Sequence, residues 1–234
     1  MTVSKVLDGD TIKLSDGRSV RVLGINAPEI TVGQKRGQPL GKESLANARQ
    51  FINRSGNEIR LGFDVEKRDH YGRWLAHVYD KSNRSLAAEQ LRAGMAIQVS
   101  VPPNGAQENC LLNAESHAKE KSIGVWRNSY WVNFASSRLT TADTGFRLVR
   151  GKITRVDVNS SIWIELEGNL VAQIRKADGK AFGRIGWKSL VGKTVEVRGW
   201  ITLRRPKENA QNYKRQFKPL VMGIRSPSSL KVLN

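Results

Sequence analysis

Cysteine is nearly absent from this sequence of 234 residues, in which Cys110 is the single example. One thiol cannot form an intramolecular disulfide or a CxxC zinc site, so the sequence excludes a disulfide scaffold and a zinc ribbon. Cys110 lies beside Leu111, Leu112 and Ala114 in a helical pattern, and we expect its thiol to be buried and inert.

Long hydrophobic runs are also lacking. No stretch has the length of a transmembrane helix or of a signal peptide, so we expect no membrane partner. The first predicted strand follows Met1 almost at once, which fits a mature or trimmed chain.

Acidic residues are scarce relative to basic ones. The chain has 21 Asp and Glu against 39 Lys and Arg, a net charge of +18. Such a chain repels itself unless its partner is anionic, which favours nucleic acid, although ribosomal, secreted and membrane-surface proteins can also be basic. Residues 1–142 carry 20 basic and 14 acidic side chains, whereas residues 143–234 carry 19 and 7. The excess of positive charge is therefore largest toward the C-terminus.

The stretch from residue 8 to residue 29 concentrates the polar groups that carry chemistry. The pattern predicts strands at residues 3–6, 11–14 and 20–25, with an Asp-Gly hairpin turn between the second and the third. Asp8, Asp10, Asn26 and Glu29 lie at strand ends, and Arg21 lies within a strand among aliphatic residues, where a charge needs a partner. This hairpin indicates either a metal and phosphate site or, equally well, an ordinary Asp-Gly-Asp turn with a solvated edge arginine.

The remaining pattern predicts a mainly β fold in two parts. Strands and three helices, at residues 42–53, 85–93 and 106–121, make up residues 1–135. Residues 136–145 are polar and aperiodic, and we interpret them as a linker. Residues 146–234 contain five predicted strands with a short helix before the fourth, which is typical of a second, small oligonucleotide-binding (OB) barrel.

Hydrolysis of a phosphodiester needs an activated water, neutralised phosphate oxygens and help for the leaving group. Oxygen ligands such as Asp10 and Asn26 suit a hard divalent cation, and a carboxylate such as Glu29 can act as general base. The guanidinium groups of Arg21 and Arg73 suit the developing charge on phosphorus. The sequence supplies each of these groups.

Three motifs in order resemble the staphylococcal nuclease (thermonuclease) family. They are Asp8-Gly9-Asp10-Thr11, Arg21-x-x-Gly24-Ile25-x-Ala27-Pro28-Glu29, and Asp69-x-Tyr71-Gly72-Arg73-x-Leu75-Ala76. The resemblance covers roughly residues 3–128. It implies an OB barrel with three helices and calcium-dependent cleavage of DNA and RNA that leaves 3′-phosphates, with another divalent cation as an alternative to calcium. It also implies a secreted or periplasmic protein, although a cytoplasmic one fits the sequence too.

The same resemblance implies a role for each matched residue. It makes Asp10, Asn26 and the Ala27 carbonyl metal ligands, with Asp8 as a second acid near the metal. Glu29 becomes the general base, and Arg21 and Arg73 bind the phosphoryl group.

Two departures from the family pattern favour an alternative. Asn26 and Ala27 replace the usual aspartate and threonine, so the site loses one negative charge, and residues 98–101 lack the tyrosines that flank the nucleotide. The alternative is a non-catalytic nucleic-acid-binding protein with a degenerate nuclease domain.

The C-terminal part carries residues suited to substrate binding. Aromatic side chains can stack bases and basic ones can follow a backbone. The candidates are Trp163, Arg198, Arg204, Arg205, Lys207, Tyr213, Lys214 and Arg215. Trp187 and Trp200 can also stack bases, but we assign them to the core. We therefore expect DNA or RNA as partner, single strands in preference to duplexes, and no obligate protein partner.

Overall fold

The computed structural model describes residues 1–34, 36–132, 134–204 and 217–233. The chain divides into two compact units, residues 1–130 and 131–234. Residues 136–145, interpreted from the sequence as a linker, fall in the second unit, where Leu139 belongs to the hydrophobic core.

Seven strands belong to the first unit. They are β1 (Val3–Val6), β2 (Thr11–Leu14), β3 (Ser19–Val22), β4 (Ile25–Asn26), β5 (Arg60–Arg68), β6 (Trp74–Tyr79) and β7 (Ile97–Gln98). Five of them pair in the order β1-β2-β3-β6-β5, and a bridge between Thr2 and Glu58 closes the circuit. Only β3 and β6 run parallel within it. The predicted mainly β fold with an OB barrel is confirmed for this unit.

Alternating side chains explain the first strands. In β2, Ile12 and Leu14 are buried while Lys13 between them is exposed, and β3 repeats the pattern with Val20 and Val22. The stretch predicted as one strand at residues 20–25 forms two, because the chain turns at residues 23–24 before β4 pairs with β7.

Three helices accompany the barrel, as predicted: α1 (Gly41–Arg54), α2 (Leu86–Arg92) and α3 (Glu108–Glu120). Ser85 begins α2, and its hydroxyl accepts a hydrogen bond from the Ala88 amide. Leu111 and Ala114 of α3 face the core. Cys110 precedes Leu111 by about 100° of helical rotation and is exposed, so the prediction of a buried thiol was wrong. In the part of the chain that the structure describes, no helix is long and apolar enough to cross a membrane.

Two glycines join the end of α2 to the segment after α3. Gly94 and Gly124 both have positive φ, 66° and 58°, which favours glycine. A Cβ on Gly124 would lie 2.1 Å from the Gly94 carbonyl oxygen, and that oxygen accepts a hydrogen bond of 2.8 Å from the Val125 amide. The two backbones therefore touch directly.

Among its described residues, the second unit has seven strands and one short α-helix. They are β8 (Phe134–Ala135), β9 (Gly145–Val158), β10 (Ser161–Leu166), β11 (Leu170–Arg175), α4 (Lys176–Gly179), β12 (Thr194–Leu203), β13 (Leu220–Gly223) and β14 (Leu230–Val232). Five strands pair in the circuit β9-β10-β11-β13-β12 and back to β9, with β11 and β13 parallel and the other neighbours antiparallel. β8 extends the sheet at β9 and β14 at β12.

Candidate active site

The turn between β1 and β2 presents two carboxylates. Asp8 Oδ1 accepts a hydrogen bond of 2.9 Å from the Asp10 amide, and Asp10 Oδ1 accepts one of 3.1 Å from the Thr11 hydroxyl. Asp10 is only 6% exposed. The turn thus holds one acid deep in the protein and fixes the second acid beside it.

A buried glutamine forms hydrogen bonds that hold this turn in place. Gln90 of α2 donates through Nε2 to the Gly9 carbonyl (2.6 Å) and to the Ser44 carbonyl (3.1 Å), and its Oε1 accepts from Asn47 (2.6 Å). A Cβ on Gly9 would lie 1.9 Å from Ser44 Oγ. Sequence reasoning missed Gln90, Ser44 and Asn47, and the glycine between two acids was the only local sign of a close approach.

Arg21 connects the acidic turn to β4. In the pairing of β2 with β3, Arg21 stands opposite Thr11, the residue after Asp10. Its guanidinium forms an ion pair with Asp10 and donates through Nη2 to Asn26 Oδ1 at 3.2 Å. Asp10 Oδ2 also accepts a hydrogen bond of 2.6 Å from the Ala27 amide. The structure therefore brings four predicted site residues into direct contact, and Asn26 and Ala27 are both buried.

Glu29 is exposed at the start of the loop after β4. The Gln38 side chain accepts a hydrogen bond of 2.9 Å from the Glu29 amide, and the Gln38 amide donates one of 2.8 Å to the Glu29 carbonyl. A Cβ on Gly41 would lie 2.3 Å from the Glu29 carbonyl oxygen, so α1 packs tightly against this backbone. The backbone of Glu29 is fixed, while its carboxylate faces the surface.

Arg73 directly precedes β6, whose Leu75 is the partner of Arg21 in the parallel pairing. Asp69 binds Arg73 twice, through Nε at 2.7 Å and through the backbone amide at 3.0 Å. Burial alone would raise the pKa of Asp69, but the hydrogen bonds from Arg73 outweigh it and lower that pKa. Asp69 thus orients the guanidinium at the turn before β6.

At the acidic turn, the pKa of Asp8 lies above its ordinary value. Burial first, and then the adjacent Asp10 carboxylate, raise the pKa of Asp8 from 3.8 to about 7, and Arg21 opposes the increase. Burial thus favours the protonated form of Asp8 more than the half-buried Arg21 favours the charged form.

Comparison with known proteins covers this first unit. A family model described as Staphylococcal nuclease homologue matches residues 19–128. The chain is 32% identical over 130 residues to a thermonuclease of Staphylococcus intermedius, an alignment that covers 53% of this chain and 74% of that protein. It is 30% identical over 132 residues to the thermonuclease of Staphylococcus hyicus (54% and 75%). It is also 30% identical over 137 residues to the endonuclease YncB of Bacillus subtilis (56% and 64%).

The chain belongs to the staphylococcal nuclease family. The predicted resemblance is confirmed, and the first unit is a nuclease domain whose relatives are named for cleaving nucleic acid. The family model ends before the second unit begins.

The acidic turn offers oxygen atoms, which are the ligand type that a hard cation of the kind the family implies would use. Within residues 1–34, 36–132, 134–204 and 217–233, no three His, Cys, Asp or Glu side chains form a group that could hold a metal. A cation would therefore use two carboxylates, Asp8 and Asp10, with neutral oxygens from Asn26 and Ala27. Asp10 already accepts three contacts, which leaves about one of its four lone-pair positions. These residues supply the oxygen ligands that a hard cation prefers, with two carboxylates at most.

The candidates in the second unit separate into three groups. Trp163 and Arg204 are in contact, with the guanidinium 5.1 Å from the ring centre. Arg198 lies in β12 and is only 8% exposed. Arg205, Lys207, Tyr213, Lys214 and Arg215 fall outside the described residues. Of the two tryptophans assigned to the core, Trp187 packs against it, but Trp200 is 41% exposed, so that assignment was wrong for Trp200.

Proposed function

We propose that the first unit hydrolyses phosphodiester bonds of DNA and RNA and leaves 3′-phosphate ends. The reaction requires a divalent cation, for which calcium is the first candidate. The observation that carries the proposal is the contact of Arg21 with both Asp10 and Asn26. A guanidinium held beside buried oxygen ligands can neutralise a phosphate that enters the same site. Membership of a family with thermonucleases and endonucleases supports the reaction type.

Each residue then has a defined task. Asp10, Asn26 and Ala27 hold the cation, with Asp8 beside them, and the bound cation supplies positive charge for the phosphate oxygens. Glu29 accepts the proton of the attacking water from its exposed position. Arg21 and Arg73 stabilise the charge that develops on the phosphoryl oxygens, and Asp69 keeps Arg73 in place.

The second unit, in this proposal, is an OB-like barrel that helps to hold the substrate. Its circuit of five strands has the same order and the same single parallel pair as the first barrel. Single strands are the preferred substrate, no obligate protein partner is needed, and a secreted or periplasmic location fits this activity.

A second candidate function is binding of nucleic acid without cleavage. Asn26 favours it, because an amide adds no charge to the oxygen ligands and so weakens cation binding. The two functions differ in whether any cation restores turnover.

Cleavage of end-labelled single-stranded and duplex DNA and RNA in calcium, magnesium or EDTA tests the proposal. We expect calcium-dependent cutting whose products gain a free 3′-hydroxyl on phosphatase treatment, and roughly a thousandfold loss of turnover in Glu29→Gln. Glu43→Gln, at an exposed acid in the first turn of α1, is the matched control and should keep full activity. Tight binding without cutting in any cation would establish the second candidate instead.

A further inference from the structure

One row of residues crosses the outer face of the second unit's sheet. Trp163 of β10 is the partner of Gln173 in β11, and Gln173 is the partner of Gly223 in β13. Trp200 of β12 lies beside Gly223, because the following residue, Ile201, pairs with Met222. The row thus begins and ends with an indole ring.

Gly223, in the middle of this row, has no side chain that rises above the sheet. Gly223 is exposed, and a Cβ built on it would meet no atom within 4 Å. Trp200, at one end, is 41% exposed and meets the Phe146 ring edge-on at 5.1 Å between centres. From Trp163 to Trp200 the row spans three strand spacings, roughly 14 Å.

Arg204 extends the row at the Trp163 end. Its guanidinium lies 5.1 Å from the centre of the Trp163 ring and 4.9 Å from that of Phe217, so it contacts two rings. Nε is buried without a hydrogen-bond partner among the described residues. Glu165 lies close enough to Arg204 to attract it electrostatically, and Glu165 also attracts Arg155. Ring contacts and a hydrogen bond of 2.7 Å from the Arg204 amide to the Pro219 carbonyl therefore hold this residue.

We propose that this row, Trp163, Gln173, Gly223 and Trp200 with Arg204, is a binding site for unpaired bases of a single-stranded nucleic acid. Bases stack on the half-buried ring of Trp163 and the exposed ring of Trp200, the strand crosses above Gly223, and Arg204 meets a phosphate. The inference rests on the proposed function, in which the second unit helps to hold the substrate.

The positive charge of the second unit and the aromatic rings of the row favour single-stranded nucleic acid as the ligand. Residues 131–234 contain 20 Lys and Arg against 7 Asp and Glu, so an anionic polymer is attracted. Stacking needs base faces that a duplex keeps covered, whereas a single strand exposes them. A span of roughly 14 Å admits two or three nucleotides between the rings.

Binding of a fluorescein-labelled thymidine 20-mer to the full chain in EDTA tests the site without cleavage. Trp163→Ala should weaken binding roughly tenfold, while Trp163→Phe should retain most of it. Arg204→Ala should lower the slope of log K against log salt by about one, a change that Trp163→Ala should not produce. Val232→Ala is the control, since this exposed residue lies in β14, which pairs with the other end of β12. A matching duplex should bind the wild type and Trp163→Ala equally.

Activity separates this inference from the proposed function. Trp163→Ala should slow cleavage of long single strands relative to the wild type, whereas the off-site variant Val232→Ala should not. Unchanged affinity of Trp163→Ala for the 20-mer would overturn the stacking site even if the enzyme cuts. Weakened binding in a protein that never cuts would overturn the nuclease proposal and support the stacking site.

Discussion

The side-chain amide of Gln90 lies 2.6 Å from the carbonyl oxygen of Gly9, although 81 residues separate them in the chain. Gln90 is fully buried, and the same amide also bonds to α1 through Ser44. The turn that carries Asp8 and Asp10 is therefore fixed by two helices as well as by its own strands. The conformation of the candidate metal site depends on the packing of α1 and α2.

The close contact at Gly9 predicts that this position does not tolerate a side chain. Gly9→Ala would place a methyl group 1.9 Å from Ser44 Oγ and 2.9 Å from Gln90 Nε2, so the helices or the turn must move. We expect a loss of about 1–3 kcal/mol in the free energy of unfolding, measured by urea denaturation. Gly105→Ala is the control, because its nearest neighbour would lie at 3.9 Å, and equal stability of the two variants would contradict the structure.

Gln38 should act on catalysis by positioning Glu29. Gln38→Ala removes one of the two hydrogen bonds that Gln38 makes to the Glu29 backbone, so the carboxylate is held less firmly. We expect kcat to fall roughly ten- to hundredfold with little change in KM. Gln34→Ala, at an exposed residue of the same loop, should leave both constants unchanged. A rise in KM alone would show that Gln38 serves substrate binding instead.

Asn26 limits the charge of the candidate metal site. Asn26→Asp replaces an amide oxygen that already accepts from Arg21 with a carboxylate oxygen at the same place. We expect calcium affinity, measured by isothermal titration calorimetry, to rise roughly tenfold. Asn53→Asp in α1, which adds the same charge at an exposed position, should not change it. Identical affinities of wild type and Asn26→Asp would remove Asn26 from the ligand set.

His77 should make the first unit less stable in mild acid. Burial lowers the pKa of His77, and neither ring nitrogen has a hydrogen-bond partner among the described residues. Asp64 and Glu108 line the same small cavity, of about 10 Å³. The unfolded state binds a proton to His77 more readily, so stability is complete above the ordinary histidine pKa of 6.5 and falls as the pH drops below it.

The difference in unfolding free energy between wild type and His77→Gln, measured from pH 7.5 to pH 5, isolates this contribution. Burial alone would raise the pKa of Asp64, but backbone hydrogen bonds from Ala106, Val65 and Gly105 lower it, so Asp64 titrates in a separate, more acidic range. We expect the wild type to lose more stability than the variant over this interval. Parallel curves would show that His77 has an ordinary pKa.

Alternation of apolar and polar residues was sufficient to predict the long strands. The alternation predicts strands at residues 74–79, 161–166 and 194–203, and β6, β10 and β12 have these limits because each strand has a buried row of its own. β8 and β14 were missed because strands of two or three residues form only by pairing with a long neighbour.

The proximity of Asp10, Arg21 and Asn26 was also predictable, because the hairpin motif fixes these three residues relative to one another. The buried residues that hold the acidic turn in place were not predictable. Gln90 and Ser44 are polar residues within helices, and only the packing of those helices shows that they are buried. Trp200 was assigned to the core on residue type alone, which cannot distinguish the two faces of a barrel strand.

The contact of Gly94 with Gly124 has a consequence for synthesis of the chain. The Gly94 carbonyl obtains its hydrogen bond from Val125, after all of α3 has been made. On the ribosome, a nascent chain that already contains every residue of the acidic turn still lacks the partner that completes the end of α2. The nuclease domain can therefore reach its native state only after the segment around residue 125 has left the exit tunnel, when translation of the second unit is already under way.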